Sequence, residues 1–292
     1  MNRAIDLYAR ATPGFESRVA HAQGQLQRAA TAHAGRIVQT TSLGAEDMIV
    51  TDLIARHRLP VALATLDTGH LHEPTLALIP RIEARYGLTV ERWQPHAEQV
   101  SHFVASHGQM AMRCSVELRK ACCTLRKMEP LARALAGRSA WVTGLRREQS
   151  GHRAVVPYEE TDDQGRAKFN PLADWSWADV WHYIAQHDVP YNPLHDDYFP
   201  SIGCEPCTRA VAIGEDFRAG RWWWESESAK ECGLHVQPQV AGARAAANPQ
   251  SGASAFTSAQ GHIGAADVSQ SQNDDAKACG LHVSRNTKEV VA

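Results

Sequence analysis

The chain has 292 residues, 43% of them hydrophobic, and its 30 Lys and Arg face 32 Asp and Glu for a formal net charge of −2. That length is enough to bury a sizeable core as one large or two small domains, and the balanced charge gives no argument for a nucleic-acid or membrane partner, so any anionic ligand has to be recognised by local clusters. No apolar run approaches the ~20 residues of a bilayer span, and the N-terminus lacks the uninterrupted apolar stretch of a signal peptide. The expected compartment is the cytoplasm. Cysteines stay reduced there, and they serve more often as ligands or catalysts than as bridges.

In chain order, residues 1–35 are rich in Ala and Gln and read as a peripheral helical segment. From Arg36 short apolar runs alternate with amphipathic segments. "RIVQTTS" reads as a strand, "EDMIVTDLIARHR" as a helix, "PVALATL" as a strand, "HEPTLALIPRIEARYG" as a helix and "LTVERW" as a strand. A helix near 96–107 follows, then one continuous helix across "ELRKACCTLRKMEPLARALAG" and the strand "SAWVTG". Strand and helix taking turns predict an α/β fold, a mostly parallel sheet with flanking helices and ligand loops at its carboxyl edge. Beyond Gly151 come the β-like pieces "RAVVPYEE" and "RAKFNPL", the helix "SWADVWHYIAQHD", and a Pro-rich aromatic loop through Ile202. From about Gln237 the composition collapses to Ala, Gly, Ser, Gln and Asn, which predicts disorder. The chain thus divides into 1–35, a main unit over 36–236 and an extension over 237–292.

Four groups of residues carry chemistry. Ser42-Leu43-Gly44-Ala45-Glu46-Asp47 joins a strand to a helix start, where free N–H groups and the positive dipole end suit a phosphate or sulfate. An ordinary turn with acidic residues on the dipole is the plainer alternative. Leu66-Asp67-Thr68-Gly69-His70 follows another strand and would lie on the same edge. Cys122-Cys123 and the C-x-x-C pair Cys204 and Cys207 suit a four-cysteine site for zinc or iron–sulfur. Neighbouring residues diverge by about 100° on a helix, which is awkward for one small ion and favours a [4Fe-4S] cluster; two unrelated buried pairs or a redox C-x-x-C remain the alternatives. Basic residues crowd both groups, among them Lys127, Arg146, Arg147, Arg218 and Arg221, and fit a small multiply charged anion, although solvated faces would explain about half of such residues. "RWWWE" reads as packing material. Cys114 has no partner at metal spacing and reads as a small core filler.

In their order, "SLGAED", "LDTGHLHEPT", "CCTLRK", "GLRREQS", "GCEPCT" and "ECGLH" resemble the assimilatory adenylyl-sulfate (APS) reductases, relatives of PAPS reductases with the adenine nucleotide α-hydrolase-like fold. The resemblance spans roughly residues 36–236. It implies one [4Fe-4S] cluster per chain on Cys122, Cys123, Cys204 and Cys207, and substrate contacts from Ser42, Gly44, Glu46, Asp47, Leu66, Asp67, Thr68 and Gly69. Lys127, Arg146, Arg147, Arg218, Arg221 and His235 would also touch the substrate. Cys232 would be the nucleophile, taking a sulfonate from adenosine 5′-phosphosulfate before thioredoxin, or a glutaredoxin-like reductant, releases sulfite. A homo-oligomer is compatible with the family. The nearest rivals are a PAPS or dual-substrate reductase, an ATP pyrophosphatase of the same fold, and a non-catalytic iron–sulfur sensor.

The sequence departs from that pattern in repeating "CGLHV" at Cys279, 47 residues beyond Cys232. A coil of that length spans about 35–40 Å root mean square. An inert duplication, a resolving thiol for Cys232 and a substitute nucleophile are the three readings of the second copy.

Overall fold

The computed structural model describes residues 3–226, apart from 150–152, 154 and 213. Cys232, His235, Cys279 and the expected disordered extension lie outside the described residues. Two N-terminal helices, α1 (Ala4–Tyr8) and α2 (Phe15–Ala32), lead into β1 (Ile37–Thr41), α3 (Ala45–Arg56), β2 (Ala62–Leu66), α4 (Glu73–Tyr86), β3 (Val90–Trp93) and α5 (Ala97–His107). Next come α6 (Val116–Cys123) and α7 (Glu129–Ala134), then β4 (Ala140–Val142), β5 (Glu159–Thr161), β6 (Ala167–Phe169) and α8 (Trp177–His187).

The six strands form one sheet in the order β3-β2-β1-β4-β6-β5, parallel throughout except for β5, which pairs antiparallel with β6 at the edge. From β1 the chain runs outward through β2 and β3 on one side and resumes with β4 on the other, where β6 lies inside β5, so the winding reverses between β1 and β4. Loops leaving the carboxyl ends of two such strands diverge and open a crevice. The pairing Thr41↔Thr65 and Gln39↔Val142 sets the three central strands so that their ends reach that crevice together.

Alternation along each strand divides the core in two. Ile37, Leu63, Ala140 and Val142 face the larger apolar cluster with α2, α3, α4 and α8, while Val38, Ala64 and Trp141 face Leu131 of α7 and Leu135. The N-terminal helices are part of this core rather than peripheral to it: Phe15, Ala22, Leu26, Ala29 and Ala30 are all buried in the larger cluster. Asp179, on the first turn of α8, fastens them further. Its buried carboxylate accepts from the Thr12 N–H at 3.0 Å and pairs with Arg18 at 2.9 Å.

The long helix expected across the paired cysteines is broken in three. Between α6 and α7, Thr124–Met128 form a π turn in which the Glu129 N–H reaches back five residues to the Thr124 carbonyl. Pro130 follows with no N–H to donate, so the regular ladder has no bond to make there. Single π turns of this kind gather at functional sites, and this one lies directly after Cys122 and Cys123.

Candidate active site and cysteine pocket

The crevice between β1 and β4 is a cavity of about 210 Å³. Ser42, Gly44, Glu46 and Asp47 line it from the β1–α3 turn, Leu66 and Thr68 from the β2–α4 turn, and Lys127, Arg218 and Arg221 from the far side. Nine of the residues singled out in the sequence therefore share one wall system.

Asp47 organises the first turn. One carboxylate oxygen accepts from the Ser42 N–H and Oγ, both at 2.6 Å, and the other from the Gly144 N–H at 2.9 Å. A Cβ on Gly144 would come within 2.5 Å of that second oxygen, so only glycine lets the β4 turn approach the helix start this closely. Burial outweighs these bonds and pushes the Asp47 carboxyl up to about 6. Glu46 is buried too, but there Arg146 and Gln149 overcome the burial and hold its carboxyl below the usual range.

Four of the expected substrate contacts are engaged away from the cavity lining. Arg146 is wholly buried, bonding Glu46 at 2.9 Å, Glu148 at 2.8 Å and the Trp175 carbonyl at 3.2 Å, and it lies behind the cavity wall. Arg147 pairs with Asp174 and donates to the Val156 carbonyl, away from the cavity. Asp67 accepts from Arg92 at 2.8 Å and Gln94 at 2.7 Å, and with Gly69, whose N–H it also accepts, it braces the loop from behind.

Sequence reasoning missed His195, Gln149, Arg153 and a set of threonines, all of which line the cavity. Buried His195 accepts the Ala45 N–H on Nε2 at 3.2 Å, filling one of the open donors of α3, and burial pushes its ring down to about 4. Its partner is 150 residues away in sequence, so no local pattern marks it.

The four cysteines Cys122, Cys123, Cys204 and Cys207 line one pocket next to the cavity, and the two share Lys127, Arg221 and Trp222 as a common wall. Three segments are laced to make it. Arg126 donates to the Thr68 carbonyl at 2.7 Å, the Glu205 N–H to the His70 carbonyl at 2.7 Å, and the Thr68 Oγ1 lies 3.2 Å from the Cys204 sulfur. Arg221 packs edge-on against Gly203, whose missing side chain would overlap the guanidinium. All four thiols are free, and burial pushes the Cys207 thiol up to about 12.

The pocket carries buried donor groups that sulfur ligands would satisfy. Among the described residues no three His, Cys, Asp or Glu side chains converge as one ion would need. Around the sulfurs, however, His70 Nε2, Arg126 Nε, Arg221 Nε and Trp222 Nε1 are buried without a hydrogen-bond partner. Buried donors left unpaired are costly, and thiolate and sulfide sulfurs would accept from them.

Beside the pocket, Arg119 grips Glu225 through two bonds of 3.0 and 2.7 Å, both side chains almost fully buried, with Trp222 against the guanidinium. Arg113 holds the Pro206 carbonyl and lies against Trp223 and Trp224. The tryptophan run therefore packs over the cysteine loop and ties the chain's last described residues to α6.

The family model of the phosphoadenosine phosphosulfate reductase domain matches residues 36–210. The adenosine 5′-phosphosulfate reductase of Allochromatium vinosum is 57% identical over 200 residues, covering 68% of this chain and 78% of that one. That of Burkholderia cepacia is 51% identical over 226 residues, covering 77% and 90%. Among solved structures, the phosphoadenylyl-sulfate reductase of Candida auris in a phosphate complex superposes with a TM-score of 0.56 at 28% identity, over 70% of this chain and all of that one. The fold is the adenine nucleotide α-hydrolase-like class, and with the match spanning most of the described residues the chain belongs to the APS/PAPS reductase family.

Proposed function

We infer that this chain reduces adenosine 5′-phosphosulfate to sulfite and AMP in sulfate assimilation, with a thioredoxin-class dithiol as electron donor. The observation that carries the reading is the common wall: a crevice fit for a nucleotide meets a four-cysteine pocket through Lys127, Arg221 and Trp222. The relatives between 51% and 57% identical bear the name of that activity.

The N-terminal turn of α3 offers the nucleotide its free N–H groups, while Lys127, Arg218 and Arg221 hold the phosphosulfate and neutralise the charge that gathers on the leaving phosphate. The Cys232 thiolate attacks the sulfate sulfur as the bond from that sulfur to the bridging oxygen breaks. AMP leaves with the electron pair and Cys232 keeps the SO₃ group. Two electrons from the dithiol then release sulfite and restore the thiol. Cys122, Cys123, Cys204 and Cys207 would hold the [4Fe-4S] cluster, which supplies a fixed buried charge beside Lys127.

The test is anaerobic mixing with APS and no reductant, followed by peptide mass analysis. A single sulfonate on the peptide carrying Cys232, with turnover lost in Cys232→Ser and kept in Cys279→Ser, supports the reading. Sulfite production by Cys232→Ser overturns it. Turnover of PAPS at the rate of APS would move the chain to the rival specificity.

A further inference from the structure

The α3 turn lacks a cap of its own. Gly44 stands where a Ser, Thr, Asp or Asn side chain ordinarily takes one of the open N–H groups, and it has no side chain to do so. Gly44 and Glu46 both line the cavity, and the bare glycine leaves room that a capping side chain would fill. The acceptor comes instead from 150 residues away, where His195 Nε2 takes the Ala45 N–H at 3.2 Å.

We propose that His195 is a positioning residue for the nucleotide, a cap supplied by a distant segment that fixes the α3 turn in the conformation that receives it. The proposal rests on the reading of the crevice as the nucleotide site. Two observations carry it. The first is the setting of the ring, which is 5% exposed and lies edge-on to Trp181 and Trp177, with centroids 5.3 and 6.0 Å away. Leucine or phenylalanine would fill such a cage without stripping water from two ring nitrogens, so filling space does not account for a histidine. The bond to Ala45 offsets that burial, and it requires a neutral ring with its hydrogen on Nδ1. Burial favours the same neutral form.

The second observation is what aims the ring. His195 ends the short turn Pro193–His195, which Asn192 opens by accepting the Leu194 N–H at 3.1 Å. Asn192 is wholly buried and donates to Thr75 Oγ1 of α4 at 2.7 Å. The turn is thus pegged to α4 at one end and to α3 at the other, and His195 itself lines the cavity beside the residues it caps. Beyond it the chain runs through Pro200, Ser201, Ile202 and Gly203, all in the cavity wall, and enters the cysteine loop at Cys204. One ring therefore sets two walls of the crevice in register, the α3 turn and the strap that leads to Cys204.

The experiment uses the whole protein and two readings: titration with AMP, which binds without turnover, and steady-state kinetics with APS and the dithiol. His195→Leu should weaken AMP binding and raise KM for APS about fivefold, the size expected for one lost helix cap, with kcat within about twofold of the parent's. His195→Gln should stay near the parent in both readings, because its amide oxygen reaches the place of Nε2. His195→Asn is as polar but one bond shorter, brings its oxygen only to the place of Nδ1, and should lose affinity as the leucine variant does. The Gln and Asn pair decides the matter even where His195→Leu fails to fold. Equal affinities in that pair overturn the proposal, as does folded His195→Leu binding AMP as tightly as the parent, or a fall in kcat with KM unchanged. A parent protein that binds no AMP would instead overturn the nucleotide reading of the crevice.

Discussion

Two residues at the mouth of the β1–α3 turn answer acid in opposite ways. Asp47, raised from 3.8 to about 6, holds a proton in the fold that the unfolded chain has lost, so its contribution to stability declines as pH rises through that window. His195, lowered from 6.5 to about 4, stays neutral where the unfolded ring is charged, so its contribution declines as pH falls through its own window. Urea unfolding between pH 4 and 7 should separate them. Relative to the parent protein, Asp47→Asn should become less unfavourable as pH rises and His195→Gln more unfavourable, each changing by at most ~1.4 kcal/mol per pH unit. Arg146 makes a second prediction. Removing it strands Glu46 as a buried charge, so Arg146→Ala should cost about 3–5 kcal/mol in unfolding experiments, and Glu46→Gln made in the same chain should recover part of the loss. A purely substrate-binding Arg146 would leave stability unchanged. The motif "GLRREQS" marks this arginine in sequence, but the carboxylate that claims it is 100 residues away, and only the folded chain brings the two together.

Helices and strands of the sheet were largely legible because each carries a local signal: short, mostly buried runs in β1 and β2, an apolar stripe in α4 and α8. What escaped was set by contacts between elements. The α6–α7 break falls between the cysteine pair and Pro130, and apart from that proline the sequence there keeps a helical pattern. The N-terminal helices looked peripheral because their Ala- and Gln-rich text carries little apolar weight, yet small residues are what let α2 pack closely against the sheet. Asp179→Ala should show how much that docking depends on one side chain. With its bonds to Thr12 and Arg18 gone, amide exchange across residues 15–32 should speed up before the sheet's does, read by hydrogen exchange with peptide mass analysis. Equal protection in the two proteins would mean that apolar packing alone holds α2. In the C-x-x-C loop, Gly203→Ala should displace Arg221 and raise KM for the nucleotide, with kcat falling if the same guanidinium also steadies the leaving phosphate.

At the scale of the molecule, the crevice at the winding reversal was predictable from strand–helix alternation, because a sheet that winds both ways from one strand leaves its carboxyl edge open at that point. The four cysteines were legible as a set, and the two pockets' shared boundary was not, since it is built from Lys127 on the π turn and Arg221 and Trp222 far downstream. Replacing Cys207 with Ser should lower iron per chain, bleach the brown absorbance and reduce sulfite production together, measured on anaerobically purified protein. Retained turnover without iron would detach the cysteine pocket from the reaction.

A partition held in common makes the two compartments thermodynamically reciprocal. Any anion in the crevice that draws Arg221 or Lys127 toward itself takes positive potential from the sulfur side, and whatever fills the sulfur side changes the grip on the anion by an equal free energy. Nucleotide should therefore perturb the visible spectrum of the iron-loaded protein without touching a single iron ligand, and the midpoint of that titration should move when the partition residues are altered.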